Sequence, residues 1–213
     1  MWRPPFADRF TAGRELGEEL VRRGYGDDAL VLGLARGGVE VAFEVARVLG
    51  CELDVMVVRK VGHPSQPELG LGAIAEDGDP VFDPDGLDRS MLTPADLAGV
   101  VAAERAESRR RVAAYRGDRP APEVAGRTVV LVDDGIATGV TARAALRALR
   151  ARGAGRLVLA APVASDTALA QLAPDADESV ALVVPDRFWA VSKWYDHFDQ
   201  TSDDAVVRLL SRA

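Results

Sequence analysis

The chain has 213 residues, 48% hydrophobic and 28% charged, with a formal net charge of −7 and a pI near 5.0. That is the profile of a globular protein, long enough for one domain or for one domain with a small cap. The acidic balance argues against general nucleic-acid binding, which needs a basic footprint; no apolar run approaches a membrane span, and the lone Cys51 excludes an internal disulfide.

In chain order, Asp8 to Arg23 is amphipathic, with Phe10, Leu16, Leu20 and Val21 as its apolar stripe, and stops before Gly24. The opening MWRPPFADRF lacks the apolar stretch of a signal peptide, which with the single cysteine gives the expectation of a cytoplasmic protein. Leu30 to Leu34 predicts a strand, broken by Gly37-Gly38, and Val39 to Leu49 a helix closed by Gly50. Leu53 to Val58 predicts the next strand, with Arg59-Lys60 at its end. Segment 59–80 is rich in Gly and Pro and reads as a long loop or hairpin, a kind of segment that is usually functional or mobile.

Thr93-Pro94 opens a helix that runs to about Arg116, with Thr93 as N-cap, Pro94 at the first helical position and Asp96 two further on. Residues 117–127 are a Pro-, Gly- and charge-rich connection. Val129 to Val132 predicts a buried-type strand, followed after a loop by a helix from Ala142 to near Arg152-Gly153. A strand at Arg156 to Val163, a short helix at Ser165 to Leu172, a strand at Ser179 to Val184 and a helix at Thr201 to Ser211, capped by Thr201, complete the chain. Alternating strands and helices predict an α/β fold with a mainly parallel sheet flanked by helices. Ligands of such sheets bind beyond the carboxyl ends of the strands. Leu34/Arg36, Val58/Lys60 and Val132/Asp134 are expected to converge there.

The most informative stretch is VVLVDDGIATGVT, residues 129–141. A strand leads into the acidic pair Asp133-Asp134, then into a small-residue loop, Gly135 to Thr141, and then a helix. Backbone N–H groups at such a helix N-terminus make a phosphate cradle, to which Thr138 and Thr141 add hydroxyl donors. Carboxylates beside a phosphate site repel it unless they serve another part of the ligand. A ribose diol fits, because each carboxylate accepts hydrogen bonds from hydroxyl donors. The segment is neither a Walker A loop, since it lacks the Lys, nor a dinucleotide fingerprint. A second anion site is Leu34-Ala35-Arg36-Gly37-Gly38, where two glycines allow close backbone approach and Arg36 supplies a charged donor.

The 129–141 segment resembles the PRPP-binding motif of the type I phosphoribosyltransferases. The resemblance implies that Asp133 and Asp134 hold the ribose hydroxyls, with Mg²⁺ nearby through water. It implies that Gly135, Ala137, Thr138, Gly139, Val140 and Thr141 hold the 5′-phosphate. Arg36, Gly37 and Gly38 match the family's pyrophosphate loop, which often carries a non-proline cis peptide, and Arg59 and Lys60 are placed to reach the same group. Asp133, Asp134, Arg36 and Lys60 are the expected catalytic set. The resemblance also implies a flexible loop over residues 61–80 that closes on PRPP, and a homodimer. His63 in that loop is a lone histidine and is left out of the catalytic set.

Pro185-Asp186-Arg187-Phe188 resembles the base-binding segment of the 6-oxopurine members, which makes Phe188, with Trp189 second, the expected stacking partner of a heterocyclic acceptor. The chain departs from those members at Ala137, where they carry Asp, and at Pro162-Val163-Ala164-Ser165, which lacks their Lys. Hypoxanthine or guanine as acceptor is therefore in doubt. The expected layout is one domain over 1–213, with a core over about 28–184 and a hood from 185–200 plus the N-terminal segment. The expected function is transfer of the 5-phosphoribosyl group of PRPP to a ring nitrogen of a heterocycle, with no nucleic-acid or membrane partner. A non-catalytic PRPP- or nucleotide-sensing regulator on the same fold is the alternative. A phosphohydrolase using Asp133 leaves the Thr-Gly and Arg-Gly-Gly loops without a role.

Overall fold

The structure is a computed structural model and describes residues 4–76 and 78–212. Its centre is a five-stranded sheet built from β1 (Leu30–Leu34), β2 (Glu52–Met56), β6 (Thr128–Val132), β7 (Arg156–Val163) and β8 (Glu178–Val183). The strands lie in the order β2-β1-β6-β7-β8, and every pairing is parallel. The apolar runs are continuous because both faces are covered. Leu30, Leu32, Leu34, Val129, Leu131, Leu157 and Leu159 point to one face; Val31, Val130, Val132, Val158 and Ala160 point to the other. That is the period-2 alternation of a strand.

Helices α5 (Val140–Ala151) and α6 (Asp166–Leu172) pack on the first face. Helices α1 (Arg9–Arg22), α2 (Gly37–Leu49) and α7 (Asp203–Leu210) pack on the second. Gly13 lets α1 ride directly on α2, since an ideal Cβ there would stand 2.5 Å from the Val41 carbonyl oxygen.

A second, antiparallel sheet of β3 (Val58–His63), β4 (Gln66–Ala75) and β5 (Val81–Phe82) flanks the first. Segment 59–80 therefore takes the hairpin alternative. Strand β2 ends at Met56, two residues short of the expected Val58, because the chain leaves the parallel sheet at Val57. The Val57 carbonyl accepts from Glu76 N–H at 2.9 Å, and Val57 N–H donates to Glu76 Oε1 at 3.2 Å. Two further helices complete the molecule. Helix α3 (Pro84–Ser90), with Pro84 in its first turn, has no counterpart among the elements expected from the sequence. Helix α4 (Ala98–Arg116) follows a 3₁₀ turn at Pro94–Leu97, where the Asp96 carboxylate accepts from Thr93 N–H at 2.8 Å.

Arg116, at the end of α4, locks the two sheets together. It is buried, donating to Asp54 Oδ2 on β2 at 2.7 Å, to the Val55 carbonyl at 2.6 Å, and to both Glu76 oxygens at 3.0 Å. Two smaller corrections concern helix ends. Gly37-Gly38 form the first turn of α2 rather than a break before it. The cap of α7 is Ser202, whose hydroxyl accepts from Ala205 N–H at 3.1 Å, not the buried Thr201 one residue earlier.

Candidate active site

The acidic pair sits where β6 ends, between the β1–α2 loop and the 3₁₀ turn Val191–Trp194. Asp133 N–H donates to the Ala160 carbonyl on β7 at 3.1 Å, which keeps the chain in register with the sheet past its last paired residue. Asp133 Oδ1 accepts from Asp134 N–H at 2.9 Å. Both carboxylates are densely surrounded yet reachable by solvent, with 16% of the Asp134 side chain exposed. Burial lifts both above the usual carboxylate range, Asp133 the more, with the Asp134 charge adding to the rise at Asp133.

The two glycines at the start of α2 are what let this loop meet the pair. An ideal Cβ on Gly37 would stand 2.0 Å from Asp134 Oδ2, and one on Gly38 would stand 2.7 Å from the Val132 carbonyl oxygen. The Ala35–Arg36 peptide bond is cis. The Arg36 side chain turns toward α7, with its guanidinium 3.6 Å from Asp203 Oδ1.

Beyond the pair, the loop 135–139 is anchored at one point. Ile136 N–H donates to the Val163 carbonyl at 2.9 Å, and its carbonyl accepts from Ser165 N–H at 2.8 Å. Ala137, Thr138 and Gly139 donate their N–H groups to no protein acceptor among the described residues. Thr138 and Thr141 are exposed, and Val140 opens α5 after Gly139, whose φ of 74° suits glycine. The loop thus has the free donors that an anion at a helix N-terminus requires.

Arg59 and Lys60 do not close a strand of the parallel sheet. They lie within β3, because that sheet's strand stops at Met56. Arg59 pairs with Glu104 on α4 at 2.7 Å, and Lys60 donates to the Glu68 carbonyl of the same hairpin. The expected convergence of three strand ends reduces to two, at Arg36 and Asp134. Phe188 is half-buried and stacks on Trp194, with centroids 6.4 Å and planes 28° apart, whereas Trp189 is exposed.

Sequence reasoning missed the residue that touches the pair most closely. Arg9, in the first turn of α1, is buried to 7% exposure and donates from Nε to Asp134 Oδ2 at 2.8 Å. Its guanidinium also donates to the Asp199 carbonyl at 2.7 Å, lies 3.6 Å from Glu40 and stands 3.8 Å over the Phe198 ring. Tyr195 donates its hydroxyl to the Asp134 carbonyl at 2.5 Å, and burial raises that phenol's pKa. Asp134 is therefore clamped from both ends of the chain, while Asp133 keeps its second oxygen.

Paired carboxylates with solvent access are hard oxygen donors of the kind Mg²⁺ takes when it keeps several waters and binds substrate phosphates. The residues present fit that ion. Among the described residues no group of three or more His, Cys, Asp or Glu could hold a metal alone. No helix among them is long and apolar enough to cross a membrane.

A parallel sheet with an acidic pair and an open Thr-Gly loop at its carboxyl edge defines a phosphoribosyltransferase-like protein. The family model described as the phosphoribosyl transferase domain matches residues 8–193, and the chain belongs to that family. It is 48% identical, over 98% of its length, to a Mycobacterium tuberculosis protein provisionally named a phosphoribosyl transferase, of which the match covers 47%. It is 32% identical, over 87% of its length, to 48% of a Methanopyrus kandleri ribose-phosphate pyrophosphokinase. The chain thus spans about half the length of these curated relatives. A crystal structure of a Thermus thermophilus protein shares 45% identity and a TM-score of 0.82, covering 97% of this chain and 98% of the other.

Proposed function

We propose that the protein transfers the 5-phosphoribosyl group of PRPP to a ring nitrogen of a planar heterocycle and releases pyrophosphate. The observation that carries this reading is the pairing of a carboxylate with a free oxygen, Asp133, and a loop of unsatisfied N–H groups a few residues later. A ribose diol on the first and a 5′-phosphate on the second would satisfy both. Asp133 takes the diol, and Asp134, held by Arg9, fixes its orientation. Ala137 to Thr141 hold the 5′-phosphate, and the Arg36-Gly37-Gly38 loop holds the pyrophosphate. For Arg36 this requires exchange of its 3.6 Å contact with Asp203 for the ligand. A relative named for ribose phosphate and pyrophosphate supports the same ligand parts.

In the reaction the bond from the sugar carbon to the pyrophosphate oxygen breaks, and a bond to the ring nitrogen forms. The nitrogen's proton leaves to solvent, and pyrophosphate departs with the bonding pair. Positive charge develops on the sugar ring as the leaving group goes, as in glycosyl transfer generally. The buried carboxylates face that charge, so the chain contributes positioning and electrostatics. Mg²⁺, held through water by Asp133 and Asp134, would neutralise charge on the diphosphate.

Calorimetric titration with PRPP and Mg²⁺ tests the site. Binding by the parent, lost in Asp133→Asn/Asp134→Asn, is the expected result. Absence of binding by a well-folded parent overturns it. Pyrophosphate release with a heterocycle panel then separates a transferase from a PRPP-sensing protein.

A further inference from the structure

A recess of about 400 Å³ is lined among the described residues by Arg187, Trp189, Lys193 and Trp194. That volume lies within the range of small-molecule sites, about 300–1,000 Å³. The 3₁₀ turn Val191–Trp194 supplies two of the four residues and ties the recess to the sugar site. An ideal Cβ on Gly135 would stand 2.4 Å from Val191 Cγ1. Tyr195, immediately after the turn, is bonded to the Asp134 carbonyl.

The aromatic walls are unequal. Trp194 is backed by the Phe188 ring stacked on it. Trp189 is 77% exposed, an indole that buries little of its apolar area. A planar ring laid on it would remove that area from water. Arg9, Arg36, Arg59 and Arg116 each face a carboxylate. The side chains of Arg187 and Lys193, like those of Arg14 and Arg208, have no hydrogen-bond, ion-pair or ring partner among the described residues, and no carboxylate is among the described residues that line the recess. In a chain of net charge −7, two uncompensated cations beside aromatic walls create a local positive potential. A guanidinium there offers a bidentate fit to a carboxylate.

We infer that the acceptor is a planar heterocycle bearing a carboxylate, its ring stacked on the tryptophans and its anionic group held by Arg187 and Lys193. The inference rests on the transferase reading for what becomes of the acceptor. The charge preference of the recess is measurable without it.

The test is a tryptophan-fluorescence titration of the full chain with matched probes that differ in a carboxylate group: nicotinate against nicotinamide, and orotate against uracil. Each is run with and without PRPP and Mg²⁺. The acidic member of at least one pair should bind ten times or more tighter than its neutral mate. In Arg187→Gln/Lys193→Gln that ratio should shrink at least fivefold, while Trp189→Ala weakens both members of the pair. Equal affinities within both pairs, no saturable quenching by any probe in a cooperatively melting chain, or an unchanged ratio in the double variant overturns the inference. Failure of the transferase reading shows separately, as absent PRPP binding with the acid-over-neutral ratio intact.

Discussion

Arg9 is the sharpest point at which to perturb the site. Arg9→Met keeps much of the length of the side chain and removes its charge. The Nε bond to Asp134 at 2.8 Å, the bond to the Asp199 carbonyl at 2.7 Å and the contact 3.8 Å over Phe198 all go. Asp134 is then left beside Asp133 without its cation, and both are already lifted by burial. Breaking a buried pair by removing one partner costs about 3–5 kcal/mol. At about 2–4 °C per kcal/mol for a chain of this size, the melting temperature at pH 7 should fall by about 6–20 °C. Arg9→Met/Asp134→Asn should recover part of the loss, because the stranded charge is gone. Thermal denaturation by circular dichroism of the parent, both single variants and the double gives the coupling term directly. A fall below about 3 °C in Arg9→Met, or a loss in the double variant as large as in the single, would refute the assignment of Arg9 as the counter-ion of Asp134.

Asp133→Asn should stabilise the ligand-free protein at pH 7 by about 0.5–2 kcal/mol, the size of a common stabilising substitution, while abolishing PRPP binding. The sign follows from burial: a carboxylate whose folded pKa lies above its unfolded one holds its proton more tightly when folded. Stability in the parent therefore falls as pH rises from near 4 through the folded value. The parent-minus-variant difference in melting temperature across about pH 4–8 should show this fall, and a difference independent of pH counts against it. Gly37→Ala drives a Cβ to 2.0 Å from Asp134 Oδ2 and should weaken PRPP affinity by about tenfold or more, the effect of losing about 1.4 kcal/mol of contact. Gly26→Ala, with nothing within 4 Å of an ideal Cβ, serves as the control and should stay within about 0.5 kcal/mol of the parent by urea denaturation. Tyr195→Phe removes the 2.5 Å bond to the Asp134 carbonyl; a loss of about 0.5–1.5 kcal/mol is expected in the same urea assay, and no loss would place that bond among the incidental ones.

What the sequence disclosed about the site is what is local in the chain. Strand, acidic pair, loop and helix follow one another within residues 129–141, so pattern and turn chemistry suffice to read them. The parallel sheet was legible for the same reason, since two covered faces leave unbroken apolar strands. The readings that failed involve apolar runs with a hidden corner or contacts made across the chain. Leu53 to Val58 is one apolar run interrupted only by Asp54, and nothing local marks Val57 as the turn that carries Arg59 and Lys60 into the second sheet. Helix α3 spans seven residues of a Pro-, Gly- and Asp-rich stretch, too few for periodicity to show.

Arg9 is the instructive failure. Its partner lies 125 residues away, and in the sequence it is simply one charged residue at the head of an amphipathic helix. The Gly13 contact between α1 and α2, and the aromatic segment that returns as Tyr195 and Phe198, make it the counter-ion of Asp134. The same return brings Tyr195, the residue after Lys193 and Trp194, to the Asp134 carbonyl. In this fold the acidic pair and the open loop lie within one strand–loop–helix unit. The charge balance of the pair depends on the two ends of the chain meeting at it. A motif can therefore disclose the pair and its loop, while the counter-ion Arg9, 125 residues away, shows only in the fold.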